Sequence, residues 1–182
     1  MLKVAFAGGT AGTWSVESID AVVGAGLQAV RRLAVLEAED RFPEPEGNWV
    51  LRGETSYERY VTAAERAALG AVSPPLGRPS STNAALIPIR KSETWWAMPQ
   101  DQRRAIFEER SHHISRSIPY LPRIARRLHH SRDLGEPFDF LTWFEFSPRD
   151  AAAFDELLAE LRSTEEWRHV IREVEVRLTR LD

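Results

Sequence analysis

The chain has 182 residues, 43% hydrophobic and 28% charged, the balance of an ordinary globular protein of one large domain or two small ones. A formal net charge of −3 gives no basis for nucleic acid or an anionic membrane as the main partner. The absence of cysteine excludes disulfides, thiolate metal sites, iron–sulfur clusters and a cysteine nucleophile, so a bound metal must rely on histidine, carboxylate, tyrosine or a cofactor's own ligands.

The opening MLKVAFAGGTAG has an apolar run too short for a signal peptide and no convincing cleavage site. No segment approaches the roughly 20 apolar residues of a membrane span, and a reducing, cytoplasmic setting is expected. KVAFAGG, TWSVESI and VRRLAVLE read as short strands that extend a sheet. AGGTAGT (7–13) comes within one glycine of the dinucleotide-binding fingerprint. Ala7 stands at the first glycine position, and no helix with an acidic residue about 20 positions on follows. The segment therefore reads as a turn between strands. RFPEPEGN (41–48) reads as the best linker.

NWVLRGET (48–55) reads as a strand, and Thr55 with Glu58 has the spacing of a capping box for a helix through 57–72. PPLGRPSST (74–82) is turn-rich. AALIPIRKS (84–92) is the next strand, with Pro88 favouring an edge or a bulge. FDFLTWFEF (138–146) alternates, with Phe138, Phe140, Thr142, Phe144 and Phe146 on one face and Leu141 and Trp143 on the other. A helix follows: Ser147 suits its N-cap, Pro148 its first turn, and Phe154, Leu157, Leu158 and Leu161 form an apolar stripe. EVEVRLTRL (173–181) sets Val174, Val176 and Leu178 against charged residues, a half-buried strand. The order β-α-β, long helical insert, β-α-β predicts an α+β fold, a ferredoxin-like unit with an antiparallel sheet and helices on one face. A single domain over 1–182 is expected, with reduced strands over 1–47 and the main unit over 48–182.

The insert contains FEERSHHISRSIPYLPRIARRLHHS (107–131), which holds four of the five histidines. On one straight helix, residues 113 and 126 would stand roughly 20 Å apart and face different ways. Pro119 and Pro122 break such a helix, so its halves can fold together and bring both side chains to one site. One histidine of the first pair would then face inward and its neighbour outward. The bland alternative leaves all four exposed on a charged helix. KSETWW (91–96) raises a similar choice between core tryptophans and a site, sharpened by a rare lysine, one of two in the chain. No histidine pair brackets a glutamate as in metalloproteases, and there is no nucleophile elbow.

The segments ALIPIRKS..WW, RRAIFEE.SHHI, YLP.IARRLHHSRDLGEPFDFLTWFEF, LR.TEEW and REVEVRL together resemble the chlorite dismutase family, most closely its short-chain, dimeric branch. The resemblance covers nearly the whole chain and is dense from about residue 48. It implies a haem b enzyme that converts chlorite to chloride and molecular oxygen, a homodimer, and a pair of ferredoxin-like units of which the first is reduced.

Carried over by position, His113, and not His112, takes the place of the proximal haem ligand. Glu166, rather than Glu165, matches its acidic partner, which would fix the tautomer and make the imidazole more basic. Arg126 matches the distal arginine, whose guanidinium would attract chlorite and hold the hypochlorite formed after the first oxygen transfer. Arg127 should face elsewhere. Leu128, Thr142 and Phe144 match residues lining the distal pocket, where a tight apolar wall excludes water. Lys91 and Trp95 match contacts to a haem propionate, and Trp96 matches a second tryptophan beside the cofactor. His129, His130 and His169 have no role in this picture, the first two being expected on the surface. Where some relatives carry glutamine to hold the arginine, this chain has Ser73, which is too short to do so.

Two relatives in the same superfamily compete. Coproheme decarboxylases resemble this chain in fold but lack the distal arginine, and dye-decolorising peroxidases use a distal aspartate where this chain has Thr142 and Phe144. A haem-carrying or sensing module is the reading from another class.

Overall fold

KVAFAGG (3–9) and AALIPIRK (84–91) are largely apolar runs buried on both faces, whereas VEVRL (174–178) alternates apolar and charged residues. The computed structural model describes residues 1–55 and 59–181. Eight strands are present among them: β1 (Lys3–Gly9), β2 (Trp14–Val23), β3 (Arg32–Ala38), β4 (Trp49–Glu54), β5 (Asn83–Lys91), β6 (Ala125–His130), β7 (Phe140–Phe146) and β8 (Val170–Arg180). They close into an antiparallel barrel in the order β1-β3-β2-β8-β5-β7-β6-β4. The glycine-rich segment after β1 is a turn. At Gly12 (φ +124°) a β-carbon would strike the backbone of Leu33, so only glycine fits.

The two faces of the strands form two cores. Leu141 and Trp143 of β7 join Val4, Phe6, Leu33, Val174 and Val176 inside the barrel. On the outer face, Ala85, Ile87, Phe144 and Phe146 pack against helix α5 (Ala151–Arg162) through Phe154, Leu157, Leu158 and Leu161. Each such fully buried side chain contributes about 1.5–3 kcal/mol. The expected stripe is therefore the packed one, although α5 is entered through a 3-10 turn at Pro148–Asp150 and Ser147 makes no side-chain cap. Phe138, just before β7, turns into the barrel interior rather than joining the outer face.

Three expectations are corrected. Helix α1 spans Ala63–Val72, and its capping box is Thr62 with Glu65, whose Oε2 accepts the Thr62 N–H at 2.8 Å. Thr55 instead accepts the Leu2 N–H at 3.1 Å, and Glu58 lies outside the described residues. Pro88 sits on no edge, because β5 runs between β8 and β7. It pairs with Leu141 on one side, and the bulge falls at Arg90/Lys91. The insert is helical only in its first part: α2 (Glu93–Ala97), α3 (Gln100–Arg104), a π-helical turn (Ala105–Arg110) and α4 (His113–Ser117). Beyond Pro119 and Pro122 the chain enters β6, a strand where a helix half was expected. Pairing with β7 along its whole length overrides the helix preference of its arginines and leucine.

Candidate active site

Strand register builds one wall of a cavity. Arg126 pairs with Phe144, Leu128 with Thr142 and His130 with Phe140. On the other side of β7, Ile87 pairs with Thr142 and Ile89 with Phe140. Because side chains alternate along a strand, these residues share the outer face of the barrel. Helices α4 and α5 and the π turn stand opposite. The space between holds about 1130 Å³ out to its open mouth, and His113, Glu166, Arg126, Leu128, Thr142 and Phe144 all line it. The proline break thus does bring His113 and Arg126 to one site.

His113 is the first residue of α4. Its Nδ1 lies 2.7 Å from Oε2 of Glu166, which leaves Nε2 for a ligand. The Phe107 ring stacks on the imidazole, centroids 4.5 Å apart, and Trp167 lies nearly parallel to it at 6.2 Å. Glu166 is 3% exposed and sits on a short 3-10 turn after α5. Its N–H donates to Ser111 Oγ at 2.9 Å, and its other oxygen accepts from Lys91 Nζ at 2.6 Å. Burial alone would raise the Glu166 carboxyl. The charges of Lys91 and His113 and their hydrogen bonds outweigh it and hold the group at about 2. Glu166 is an anion at neutral pH. Glu165 points away, to Arg110.

Lys91, expected beside a carboxylate of the cofactor, is committed to the carboxylate of Glu166 instead. Its ammonium also sits 3.6 Å from the centre of the Trp95 ring, and burial pushes its pKa down. Alternation along β5 sets this lysine on the same face as Ile87 and Ile89, towards the cavity. Trp96 donates to Asp139 at 3.0 Å under the Arg132 guanidinium. Neither tryptophan is among the residues lining the cavity. Arg127 faces away, as expected, and pairs with Glu37.

His129 and His130, expected at the surface, are buried. His129 faces the barrel interior against Phe6, while His130 lines the cavity beside Leu128. Burial lowers both to about 4, so both are neutral at pH 7. The alternation of a strand would have sorted them, had β6 been recognised as one. His169 lies against Trp95 and outside the cavity lining. Beyond Arg126 a second chamber of about 870 Å³ opens, lined by Arg66, Ser73, Arg126, Arg127 and His130 among others.

Two further features bear on what the cavity can hold. Tyr60 lines it with its hydroxyl buried and turned towards the indole N–H of neighbouring Trp95, whose ring it meets edge-on. Burial raises the Tyr60 phenol, only partly countered by Arg103 and Arg59, so it is a neutral donor. A carboxylate-bearing cofactor in the cavity would take a hydrogen bond from the Tyr60 hydroxyl. No group of three or more histidine or acidic side chains is placed to hold a bare metal ion among the described residues. A metal on His113 would need a cofactor's own ligands. The anchored imidazole, the buried Tyr60 donor and the largely apolar walls fit haem.

Residues 45–181 match the family model for chlorite dismutase. The chain belongs to the chlorite dismutase family. The structure is similar to that of the dimeric chlorite dismutases from Nitrobacter winogradskyi, with 53% identity, a TM-score of 0.91, and coverage of 97% of this chain and 99% of that one. It shares its fold with the chlorite dismutase of Candidatus Nitrospira defluvii, with a TM-score of 0.65 at 19% identity over 98% of this chain and 91% of that one. A curated chlorite dismutase from Ideonella dechloratans is 33% identical over 89 residues, 49% of this chain and 29% of that protein. No helix among the described residues is long and apolar enough to cross a membrane.

Proposed function

We propose that this chain is a haem b-dependent chlorite O2-lyase, a homodimer that converts chlorite to chloride and molecular oxygen. One observation carries the reading. A histidine whose Nδ1 is fixed on a buried carboxylate lines the same cavity as an arginine on a mainly apolar strand wall.

Haem bound there would supply the redox-active iron needed to cleave a chlorine–oxygen bond and make the oxygen–oxygen bond. The protein's part is to hold, orient and exclude. His113 Nε2 would ligate the metal. Glu166 accepts the Nδ1 proton, which fixes the tautomer and raises the basicity of the ring. Lys91 is assigned to this anchor rather than to a propionate, and keeps Glu166 ionised. Tyr60 would hold a haem carboxylate, with Trp95 backing its hydroxyl and Trp96 further out. Arg126 would draw in a small oxyanion and keep the chlorine-bearing product oriented, through a charge that never titrates off and several donors. Leu128, Thr142 and Phe144 would restrict water and escape of the oxidant.

We also read residues 83–180 as a ferredoxin-like unit. β5, the helical segment, β6, β7, α5 and β8 follow one another, and the strands lie in the order β8-β5-β7-β6, which supports that topology. The dimeric state of the Nitrobacter winogradskyi relative supports a dimer here.

An oxygen electrode tests the reaction. Protein reconstituted with haem and freed of oxygen should release close to one O2 per chlorite, far faster than free haem at equal iron. His113→Ala should fall to the free-haem rate. Bleaching of the wild type without oxygen would overturn the assignment.

A further inference from the structure

We propose that Glu108 is a positioning residue for the histidine ligand, its buried carboxylate locking the first turn of α4 and so fixing where His113 points. The inference rests on the reading of His113 as a cofactor ligand.

The chain reaches His113 by an unusual route. In the π turn the Ser111 N–H donates to the Ile106 carbonyl, five residues back, at 3.1 Å. His112 then adopts a left-handed conformation, φ 55° and ψ 38°, which L side chains disfavour. The helical axis is broken there, and α4 starts anew with the ligand as its first residue. A helix of five residues has no preceding turn to satisfy its first N–H groups, and little of its own to hold it in place.

Glu108 supplies what is missing. Its Oε2 accepts the Ile114 N–H at 2.6 Å and its Oε1 accepts the Ser115 N–H at 3.2 Å. Its backbone carbonyl accepts the His112 N–H at 3.0 Å. One residue thus grips the chain on both sides of His113. It is 9% exposed, whereas Glu109 next to it faces solvent. The same segment also fastens the partner carboxylate: Arg110 makes two bonds to Glu165, and Ser111 Oγ accepts the Glu166 N–H. Those bonds place Glu166. Phe107 of the π turn stacks on the His113 ring, while Glu108 is the side chain that turn directs at the backbone of α4. Without its carboxylate, two amides lose their acceptor and the first turn can drift, lengthening the 2.7 Å bond from His113 to Glu166.

The test compares Glu108→Ala, Glu108→Gln and Glu109→Ala. Three properties are read: the iron–histidine stretching band of the ferrous haem protein, retention of haem against a competing apoprotein, and hydrogen exchange of the Ile114 and Ser115 amides without haem. Glu108→Ala should speed both amides, lower the stretching frequency and weaken haem retention about tenfold, the low end for loss of a residue supporting a metal ligand. Glu108→Gln keeps one acceptor oxygen and should fall between, while Glu109→Ala should match the wild type. Faster amides with an unshifted band and full retention would overturn the proposal, leaving Glu108 as a helix cap alone. Should Glu108→Ala fail to fold, an unshifted band in Glu108→Gln overturns it equally. Absence of an iron–histidine band in the wild type, or its persistence in His113→Ala, would instead sink the ligand reading itself.

Discussion

The wall that carries His113 and the wall that carries Arg126 are held by different forces. His113, Glu166 and Lys91 come from α4, a turn after α5 and the end of β5, and charge and hydrogen bonds join them. Arg126, Leu128, Thr142 and Phe144 come from two neighbouring strands, and ladder register lines them up. A charged anchor fails when one member is removed, because its partner is left buried and unpaired. A strand wall tolerates substitution, because the backbone that sets its spacing is untouched. The first wall should therefore govern cofactor retention and stability, the second the reaction.

The sharpest test of that division is Arg126→Ala. Oxygen release should drop roughly 100- to 1000-fold, the usual effect of removing one preorganised donor to a reacting anion. Haem content and unfolding midpoint should stay at wild-type values.

Glu166→Gln should do the reverse and destabilise the fold by about 3–5 kcal/mol in urea unfolding, since Lys91 loses its counter-charge in a buried site. The pH dependence has a definite sign. Glu166 is held at about 2, below its ordinary 4.5, so its ionised form favours the folded state at pH values above 4.5. That contribution is lost as pH falls towards 2, and the gap between wild type and variant should narrow over the same range.

A smaller effect separates the cavity from the barrel interior. His129 is held at about 4, below its ordinary 6.5, because burial disfavours the charged ring. Between those values the unfolded chain takes up a proton that the folded chain refuses, so folding weakens as pH falls from 6.5 to 4. His129→Leu should flatten that slope by up to about 1.4 kcal/mol per pH unit, measured as urea midpoints across the range.

The smallest change expected is at Ser73, which shares the second chamber with Arg126. Ser73→Gln should leave the initial rate of oxygen release unaltered and increase the number of turnovers before the haem bleaches. Fewer turnovers would show that pinning the arginine from this side does not protect the cofactor.

Local pattern was enough wherever one element answered to one rule. Alternation marked β7 and β8, the apolar stripe marked α5, and the two prolines marked where the helix of 107–131 breaks, though not that a strand follows. The motif resemblance then singled out His113 over His112 and Glu166 over Glu165, choices that composition and periodicity had left open. Two failures share a cause. The Arg-Arg-Leu-His-His run has helix-forming residues and lies after a helical stretch, so it read as helix, and its histidines as solvated. The Thr55–Glu58 spacing looked like a cap because spacing alone carries no sign of which Thr–Glu pair the helix will use. Thr62 and Glu65 have the same spacing, and Arg104, 39 residues away, holds Glu65 by two bonds.

What the sequence determined by itself was therefore periodic and local: where strands and helices alternate, where a helix must stop, and which residue types could serve a histidine-ligated cofactor and an anion. What only the tertiary structure decided was partnership. Lys91 meets Glu166 across 75 positions of chain, and β6 becomes a strand because β7 is beside it. His130 faces the cavity because it shares that strand's face with Arg126 and Leu128. The physical reason is the same in each case. Pairing energies between distant segments exceed the small differences in intrinsic preference that a single stretch of sequence can express.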